Sequence, residues 1–137
     1  MVAARSLGPL HRVQSLSLDG GINFEPMKST NLPQPTTGVE GSILFDEENN
    51  RLLLSTLNDG NFLGLRYNLT LFELRLSNTT NPSSSDWKSL MVINSGPSAY
   101  SALTKLKDGK IGILYERSNT LNRIFKPDYI SWRILYQ

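Results

Sequence analysis

Short apolar runs, separated by residues that favour turns, recur from one end of the chain to the other. Short apolar runs bounded by turn residues are typical of β-strands. No segment has convincing helical periodicity. The pattern therefore predicts an all-β chain with eight strands: Arg12–Leu18, Ser42–Phe45, Arg51–Thr56, Leu69–Leu76, Ser89–Ile93, Ser101–Leu106, Lys110–Tyr115 and Ile130–Tyr136.

The connections predict two hairpins. Ser42–Phe45 pairs with Arg51–Thr56 across a five-residue connection that contains Glu48-Asn49-Asn50. Ala102–Leu106 pairs with Lys110–Tyr115 across an Asp-Gly turn. Asn and Gly tolerate the positive φ angles of tight turns, so we expect consecutive strands to pair in antiparallel fashion.

The composition of the chain disfavours several classes of protein. The 137 residues suffice for one domain, residues 1–137, without disulfides. The formal charge of +2 comes from 14 basic and 12 acidic residues spread along the chain, which disfavours a nucleic-acid partner. The absence of cysteine excludes a disulfide framework and cysteine-ligated zinc. His11 is the one histidine and has no partner pattern, so we expect it to be exposed.

No targeting signal or transmembrane segment is predicted from the apolar runs, which are all short. The longest irregular stretch, Ser77–Asp86, is rich in Ser, Thr and Asn and is expected to be an exposed loop. Two N-glycosylation sequons begin at Asn68 and Asn78. Each is a glycosylation candidate if the protein enters the secretory pathway, and each is short enough to occur by chance.

The segment from Ser17 to Phe24 has the pattern S-x-D-x-G-x-x-F, in which Asp19 and Gly21 occupy the fixed middle positions. Such a turn lets the aspartate accept backbone N–H groups while the aromatic ring packs beneath it. We interpret Asp19 as a structural residue. A calcium loop or a general acid is disfavoured because no second carboxylate follows at ligand spacing, and no metal site is expected.

This segment resembles the Asp-box of sialidases, which normally ends in Trp where this chain has Phe24. Further segments, in the same order, resemble the last third of a sialidase, and the resemblance is closest to animal lysosomal sialidases. It implies about half of a six-bladed β-propeller with antiparallel sheets and one Asp-box, and no cofactor. The segments are Val39–Leu44, Arg51–Ser55, Arg66–Leu71, Gly96–Leu103 and Leu114–Glu116.

The resemblance assigns catalytic and substrate-binding roles. Tyr100 matches the tyrosine nucleophile, a neutral phenol that avoids repulsion by the carboxylate of sialic acid. Arg66 and Arg5 match two of the three arginines that bind this carboxylate, although Arg12 lies near enough in sequence to compete with Arg5. Glu116 matches the glutamate that orients the first arginine. Without the resemblance, these would be a strand aromatic and solvated surface charges.

Three active-site residues of the family match no residue of this chain: the acid/base aspartate, the glutamate beside the tyrosine and the first arginine. Glu40 matches a Gln or Glu at a strand entry and is expected only to line the pocket. We therefore expect the C-terminal portion of an exo-α-sialidase, a glycoside hydrolase that removes terminal sialic acids from glycoproteins, oligosaccharides or gangliosides, with the isolated chain inactive.

Two alternatives remain open: a non-catalytic sialic-acid-binding propeller fragment or pseudoenzyme, and an unrelated Asp-box propeller without any site. Sialylated glycans are the expected partners. The open flanks of a partial propeller predict self-association or binding of another protein. The resemblance implies a lysosomal or membrane-associated location, in ganglioside and oligosaccharide catabolism, although no targeting signal in the chain shows it.

Overall fold

The computed structural model describes residues 1–5, 10–76, 83, 85–120 and 127–135. In these ranges the regular structure consists of nine strands and no helix. Consequently, nothing in the described ranges is a helix that could cross a membrane. The strands are β1 (Val2–Ala4), β2 (His11–Ser15), β3 (Lys28–Pro33), β4 (Ser42–Asp46), β5 (Arg51–Leu57), β6 (Tyr67–Arg75), β7 (Lys88–Lys105), β8 (Ile111–Arg117) and β9 (Tyr129–Leu135).

Neighbouring strands pair in sequence order, always antiparallel. Strands β1, β2 and β3 form one sheet, and β4 to β9 form a second sheet in which each strand pairs with the next. Both predicted hairpins are confirmed. Strands β4 and β5 pair from Ser42↔Ser55 to Asp46↔Arg51, and β7 pairs with β8 up to Lys105↔Ile111. The all-β class is confirmed as well.

The strand predictions were wrong in three places. Ser89–Ile93 and Ser101–Leu106 belong to the single strand β7, whose first half pairs with β6 and whose second half pairs with β8. The connection between these two predicted strands, which contains Pro97, is itself part of β7: Pro97 lies opposite Tyr67, where the register shifts. Strands β1 and β3 were not predicted, since their runs are short or polar.

Two apolar clusters lie on opposite faces of β5 and β6. Alternate residues of β6 point to opposite sides, so Leu69 and Leu71 belong to one cluster while Phe72 and Leu74 belong to the other. The first cluster joins β5 and β6 to β8 and β9 through Ile111, Ile113 and Leu135. The second joins them to the three-stranded sheet through Leu32, Trp87 and Ala3.

The outer face of the last three strands stays open. Ala102, Leu114 and Trp132 lie side by side across β7, β8 and β9, and all three are exposed. Ile130, opposite Glu116, is 72% exposed on the same face. Their alternating neighbours Leu103 and Ile113 point into the first cluster instead. We call this surface, formed by Ala102, Leu114, Ile130 and Trp132, the open face.

Candidate functional site

Arg66 and Tyr100 are brought together by the pairing of β6 with β7. Tyr67 lies opposite Pro97, and the Ser98 backbone N–H donates to the Arg66 carbonyl at 3.1 Å. The Arg66 guanidinium carbon lies 5.5 Å from the centroid of the Tyr100 ring, within cation–π range. Arg66 also donates through Nη2 to the Gly38 carbonyl at 3.4 Å, a long contact, and its buried Nε has no partner among the described residues. The guanidinium therefore lies between the Gly38 backbone and the Tyr100 ring.

Glu116 reaches the same tyrosine from β8. The register of β7 and β8 shifts between Ser98 and Ser101, and Tyr100 lies in this irregular stretch. Its backbone N–H donates to Oε2 of Glu116 at 3.2 Å. β-Bulges are common beside active sites because they redirect a side chain. The ring of Tyr100 points outward, with 37% of the residue exposed.

Tyr100 and Glu116 line one cavity of about 250 Å³, which we call the tyrosine cavity. Its floor is apolar and continues into the open face, while the charged groups on its wall are carboxylates. An aromatic ring with nearby hydrogen-bonding groups is suited to binding a sugar. The other lining residues are Glu40, Ser101, Ala102, Leu114, Tyr115 and Ile130.

Arg5 does not line the tyrosine cavity. It follows β1 and lines a neighbouring cavity of about 200 Å³, the arginine cavity, together with Ala3, Arg12, Glu40 and Gly41. Glu40 is the residue common to the two cavities. The structure therefore places Arg66 and Glu116 each beside Tyr100, and Arg5 in the neighbouring cavity.

The burial of Arg12 was not predicted from the sequence. It is 1% exposed, and its Nη1 donates to the Val39 carbonyl at 2.7 Å and to Oγ1 of Thr56 at 3.0 Å. Burial lowers the pKa of Arg12 to about 10; the positive charge of Arg5 adds to this effect and the negative charge of Glu40 opposes it. Arg12 therefore links β2 to β5 beneath the arginine cavity. No local pattern distinguishes it from an arginine at a strand surface.

The turn from Ser17 to Phe24 lies at the opposite end of the first sheet from Arg5. Oδ1 of Asp19 accepts the backbone N–H groups of Ile22 at 3.1 Å and Asn23 at 2.9 Å. The Ser17 hydroxyl donates to Asp19 at 2.7 Å and accepts the Gly21 N–H at 2.7 Å. Hydrogen bonds from the Asn23 backbone, then from Ser17 and the Asn23 side chain, lower the pKa of Asp19 to about 2.

This geometry agrees with a structural role for Asp19, while the packing of the Phe24 ring beneath the turn stays a prediction. Phe24 is 48% exposed and belongs to neither apolar cluster. Gly20 and Gly21 take positive φ angles of 73° and 94° there, as expected for a tight turn.

Of the two glycosylation candidates, Asn68 lies in the described part of the chain. Asn68 lies half-buried in β6 with a φ of 61°, and its Nδ2 donates to the Asn58 carbonyl at 3.1 Å. This nitrogen is the atom to which a glycan would be attached. Asn78 lies outside the described residues. Glycosylation at either position stays a prediction. In the described ranges, no group of His, Cys, Asp and Glu side chains could hold a metal ion.

Comparison with known proteins gives a match in structure alone. No protein-family model and no curated protein sequence matches the chain. The intramolecular trans-sialidase from Ruminococcus gnavus matches with a TM-score of 0.73 and 23% identity over 96% of this chain and 29% of that one. The leech intramolecular trans-sialidase matches with a TM-score of 0.74 and 19% identity over 97% of this chain and 21% of that one.

A NanB sialidase variant from Streptococcus pneumoniae matches with a TM-score of 0.76 and 19% identity, over 97% of this chain and 21% of that one. The predicted partial β-propeller is thereby confirmed. A particular likeness to animal lysosomal sialidases is not part of this finding. The chain spans less than a third of the length of the sialidases that it matches, and its fold is that of part of a sialidase β-propeller.

Proposed function

We propose that the chain supplies part of the active site of an exo-α-sialidase, which hydrolyses terminal sialic acids of glycoproteins, oligosaccharides or gangliosides. The observation that carries this proposal is the cluster of Arg66, Tyr100 and Glu116. The guanidinium of Arg66 lies 5.5 Å from the Tyr100 ring, and Glu116 accepts the Tyr100 N–H at 3.2 Å. The sialidase fold supports the same function.

Tyr100 is the proposed nucleophile. Its phenol oxygen bonds to the anomeric carbon of sialic acid as the bond to the leaving oxygen breaks. The phenolic proton passes to a carboxylate and the leaving oxygen takes a proton from an acid; the sialidase resemblance assigns neither group to this chain. Water then cleaves the tyrosyl bond, which returns the phenol and gives net retention of configuration.

Arg66 and Arg5 are the proposed ligands of the sialic acid carboxylate. A planar guanidinium donates two parallel hydrogen bonds to a carboxylate, which fixes the orientation of the sugar as well as holding its charge. The position of the Arg66 guanidinium 5.5 Å from the Tyr100 ring supports this role. Glu116 is a positioning residue, which holds the backbone of the nucleophile and is available to pair with a further arginine.

Hydrolysis of a fluorogenic sialoside tests the proposal. A polypeptide that carries this chain together with the acid and base groups should release the fluorophore. Tyr100→Phe should lower the rate at least about a hundredfold, because it removes the nucleophile and leaves the ring in place. Tyr129→Phe is the matched control, since Tyr129 stacks on Arg117 and does not line the tyrosine cavity, and should act as the wild type.

The 137-residue chain alone should bind sialic acid without hydrolysing it. Hydrolysis by the pure chain, abolished in Tyr100→Phe, would show that this expectation of inactivity is wrong. Binding without turnover in every polypeptide that contains the chain would favour the alternative, a sialic-acid-binding propeller or pseudoenzyme. The lysosomal or membrane-associated location and the likeness to animal lysosomal sialidases remain part of the proposal.

A further inference from the structure

Beyond Tyr100, strand β7 lies against β4 and β5 as well as pairing with β8. Two contacts made by serine hydroxyls join it to the earlier strands. The hydroxyls of Ser101 in β7 and Ser55 in β5 lie 2.7 Å apart. The Leu103 N–H donates to Oγ of Ser42 in β4 at 2.9 Å. We call these four residues the seam, since they join the strands that begin the six-stranded sheet to those that end it.

The position of the Ser55 hydroxyl is closely defined by the sheet. Ser55 is fully buried in β5, where it pairs with Ser42 on one side and with Leu71 on the other. A fully buried hydroxyl costs folding free energy unless it forms a hydrogen bond, and the Ser101 hydroxyl provides the partner. An alanine would fill the same place without this requirement. The serine is therefore suited to align β7 with β5 as well as to fill the core.

The residue just before the seam in β7 is Tyr100, and its backbone departs from the regular ladder. Between the paired residues Ser98 and Ser101, two residues of β7 lie opposite the single residue Glu116 of β8, which makes a β-bulge. The two residues are Ala99, which is 2% exposed, and Tyr100, which points outward. The direction of the Tyr100 side chain therefore depends on how the chain is held at the two ends of the bulge.

The pairing with β8 fixes Tyr100 relative to Glu116, whereas Arg66 lies just before β6. The position of Tyr100 relative to Arg66 depends on how β7 is joined to β5 and β6. Before the bulge, the Ser98 N–H donates to the Arg66 carbonyl at 3.1 Å. After it, the contact between Ser101 and Ser55 joins β7 to β5. The nucleophile proposed above is thus held to the arginine side of the site at both ends of its bulge.

We propose that Ser55 is a positioning residue, whose hydroxyl holds Ser101 and thereby aims the Tyr100 phenol at the anomeric carbon of a sugar bound by Arg66. This inference rests on the proposed function and adds to it a buried residue that does not line the tyrosine cavity. A nucleophile displaced by about 1 Å reacts far more slowly, although the sugar is still bound. Loss of the Ser55 hydroxyl therefore acts on the chemical step and spares substrate binding.

Hydrolysis of a fluorogenic sialoside by the polypeptide that carries this chain together with the acid and base groups tests the positioning role. Ser55→Ala should lower kcat about tenfold and leave KM within about twofold of the wild type, because the sugar is still bound but the phenol is misaligned. Ser15→Ala is the matched control. Ser15 is buried in the other sheet, and its hydroxyl donates to the Glu25 carbonyl, so its loss should lower stability without lowering kcat.

A double-mutant cycle tests whether the effect passes through the hydroxyl pair. Ser101→Ala should lower kcat as much as Ser55→Ala does, and the double variant should be no slower than either single variant, because each change removes the same hydrogen bond. Unrelated structural damage at the two positions would instead multiply. If Ser55→Ala does not fold, Ser101→Ala takes its place, since Ser101 is only partly buried. All rates are compared per folded molecule.

The outcomes distinguish the inference from the proposed function. A lower kcat with an unchanged KM in Ser55→Ala, a wild-type kcat in Ser15→Ala and no further loss in the double variant support the inference. A wild-type kcat in Ser55→Ala, an equal loss in Ser15→Ala or multiplied losses in the double variant overturn it and leave the proposed function intact. A wild-type polypeptide that does not hydrolyse the sialoside, or a Tyr100→Phe variant as fast as the wild type, overturns both together.

Discussion

At the scale of single residues, hydrogen bonds stabilise charged side chains in two settings, one exposed and one buried. Asp19 is fully exposed, yet its carboxylate accepts N–H groups from Ile22 and Asn23 and the hydroxyl of Ser17. Arg51 is buried between Asp46 at 2.9 Å and Glu73 at 2.8 Å. The charge on Asp19 costs little folding free energy because water still solvates it. The buried charge on Arg51 is stabilised only while its carboxylate partners are present.

Asp19 should titrate far below an ordinary aspartate. Hydrogen bonds to its charged form lower its pKa to about 2. The stabilisation that they give the turn is therefore complete above the usual pKa range of aspartate and is lost as the pH falls through about 2. An NMR titration of the carboxyl carbon measures this midpoint. Ser17→Ala removes one donor and should raise it. A wild-type midpoint near 4 would contradict the hydrogen-bond pattern.

Arg51→Met should destabilise the fold by about 3 kcal/mol, because buried Asp46 would lose its cation and Glu73 would keep only the exposed Arg75. The matched control is Arg75→Met. Arg75 binds the same Glu73, but its side chain is 74% exposed, so its loss should cost less than about 1 kcal/mol. Urea unfolding of the two variants measures the difference. Equal effects would show that the buried pairs contribute no more than the exposed pair.

At the scale of strands, β7 decides the shape of the site. Its first half completes the pairing with β6 and its second half begins the pairing with β8, so Arg66 and Glu116 reach Tyr100 from two sides. The Asp108-Gly109 turn made the β7–β8 hairpin predictable. The turn fixes the register, and the register brings Glu116 to Tyr100.

Some features could not be predicted from the sequence, because they depend on contacts between residues far apart along the chain. Strand β3 is largely polar, and it forms because β2 pairs with it and Leu32 enters the second cluster. The burial of Arg12 depends on Val39 and Thr56, which lie 27 and 44 residues away. A proline usually ends a central strand, but Pro97 lies at a register shift where its missing N–H is not required.

Gly112 in β8 should not tolerate a side chain. The Trp132 ring of β9 lies across Gly112, and a Cβ built there would collide with it. Gly112→Ala should therefore displace Trp132, lower the unfolding free energy by about 1 to 3 kcal/mol and shift the tryptophan fluorescence. Adding Trp132→Ala should recover most of this loss. A Gly112→Ala variant as stable as the wild type would contradict the close contact.

At the scale of the whole molecule, the six-stranded sheet packs apolar residues on both faces at β5 and β6 but leaves one face exposed at its last strands, β7 to β9. The open face of Ala102, Leu114, Ile130 and Trp132 has no covering sheet in the described structure. Contiguous exposed apolar surface of this kind favours association. The sialidases of matching fold are several times longer than this chain.

The isolated chain should therefore associate with itself. Sedimentation velocity should show larger species as the concentration rises, and Ile130→Lys should shift the distribution towards the monomer. Ser29→Lys is the control, since Ser29 is exposed on β3, in the other sheet. A monomer with a sharp, concentration-independent unfolding transition would contradict the expectation.

The central claim, that Arg66, Tyr100 and Glu116 form part of a sialic acid site, is tested most directly by binding to the Arg66→Met chain. The wild-type chain, sparsely captured, should bind N-acetylneuraminic acid saturably, and Arg66→Met should bind at least about tenfold more weakly because its charge-assisted hydrogen bonds are lost. Arg75→Met should bind as the wild type. No saturable binding by the wild type, or equal binding by wild type and Arg66→Met, would contradict the account.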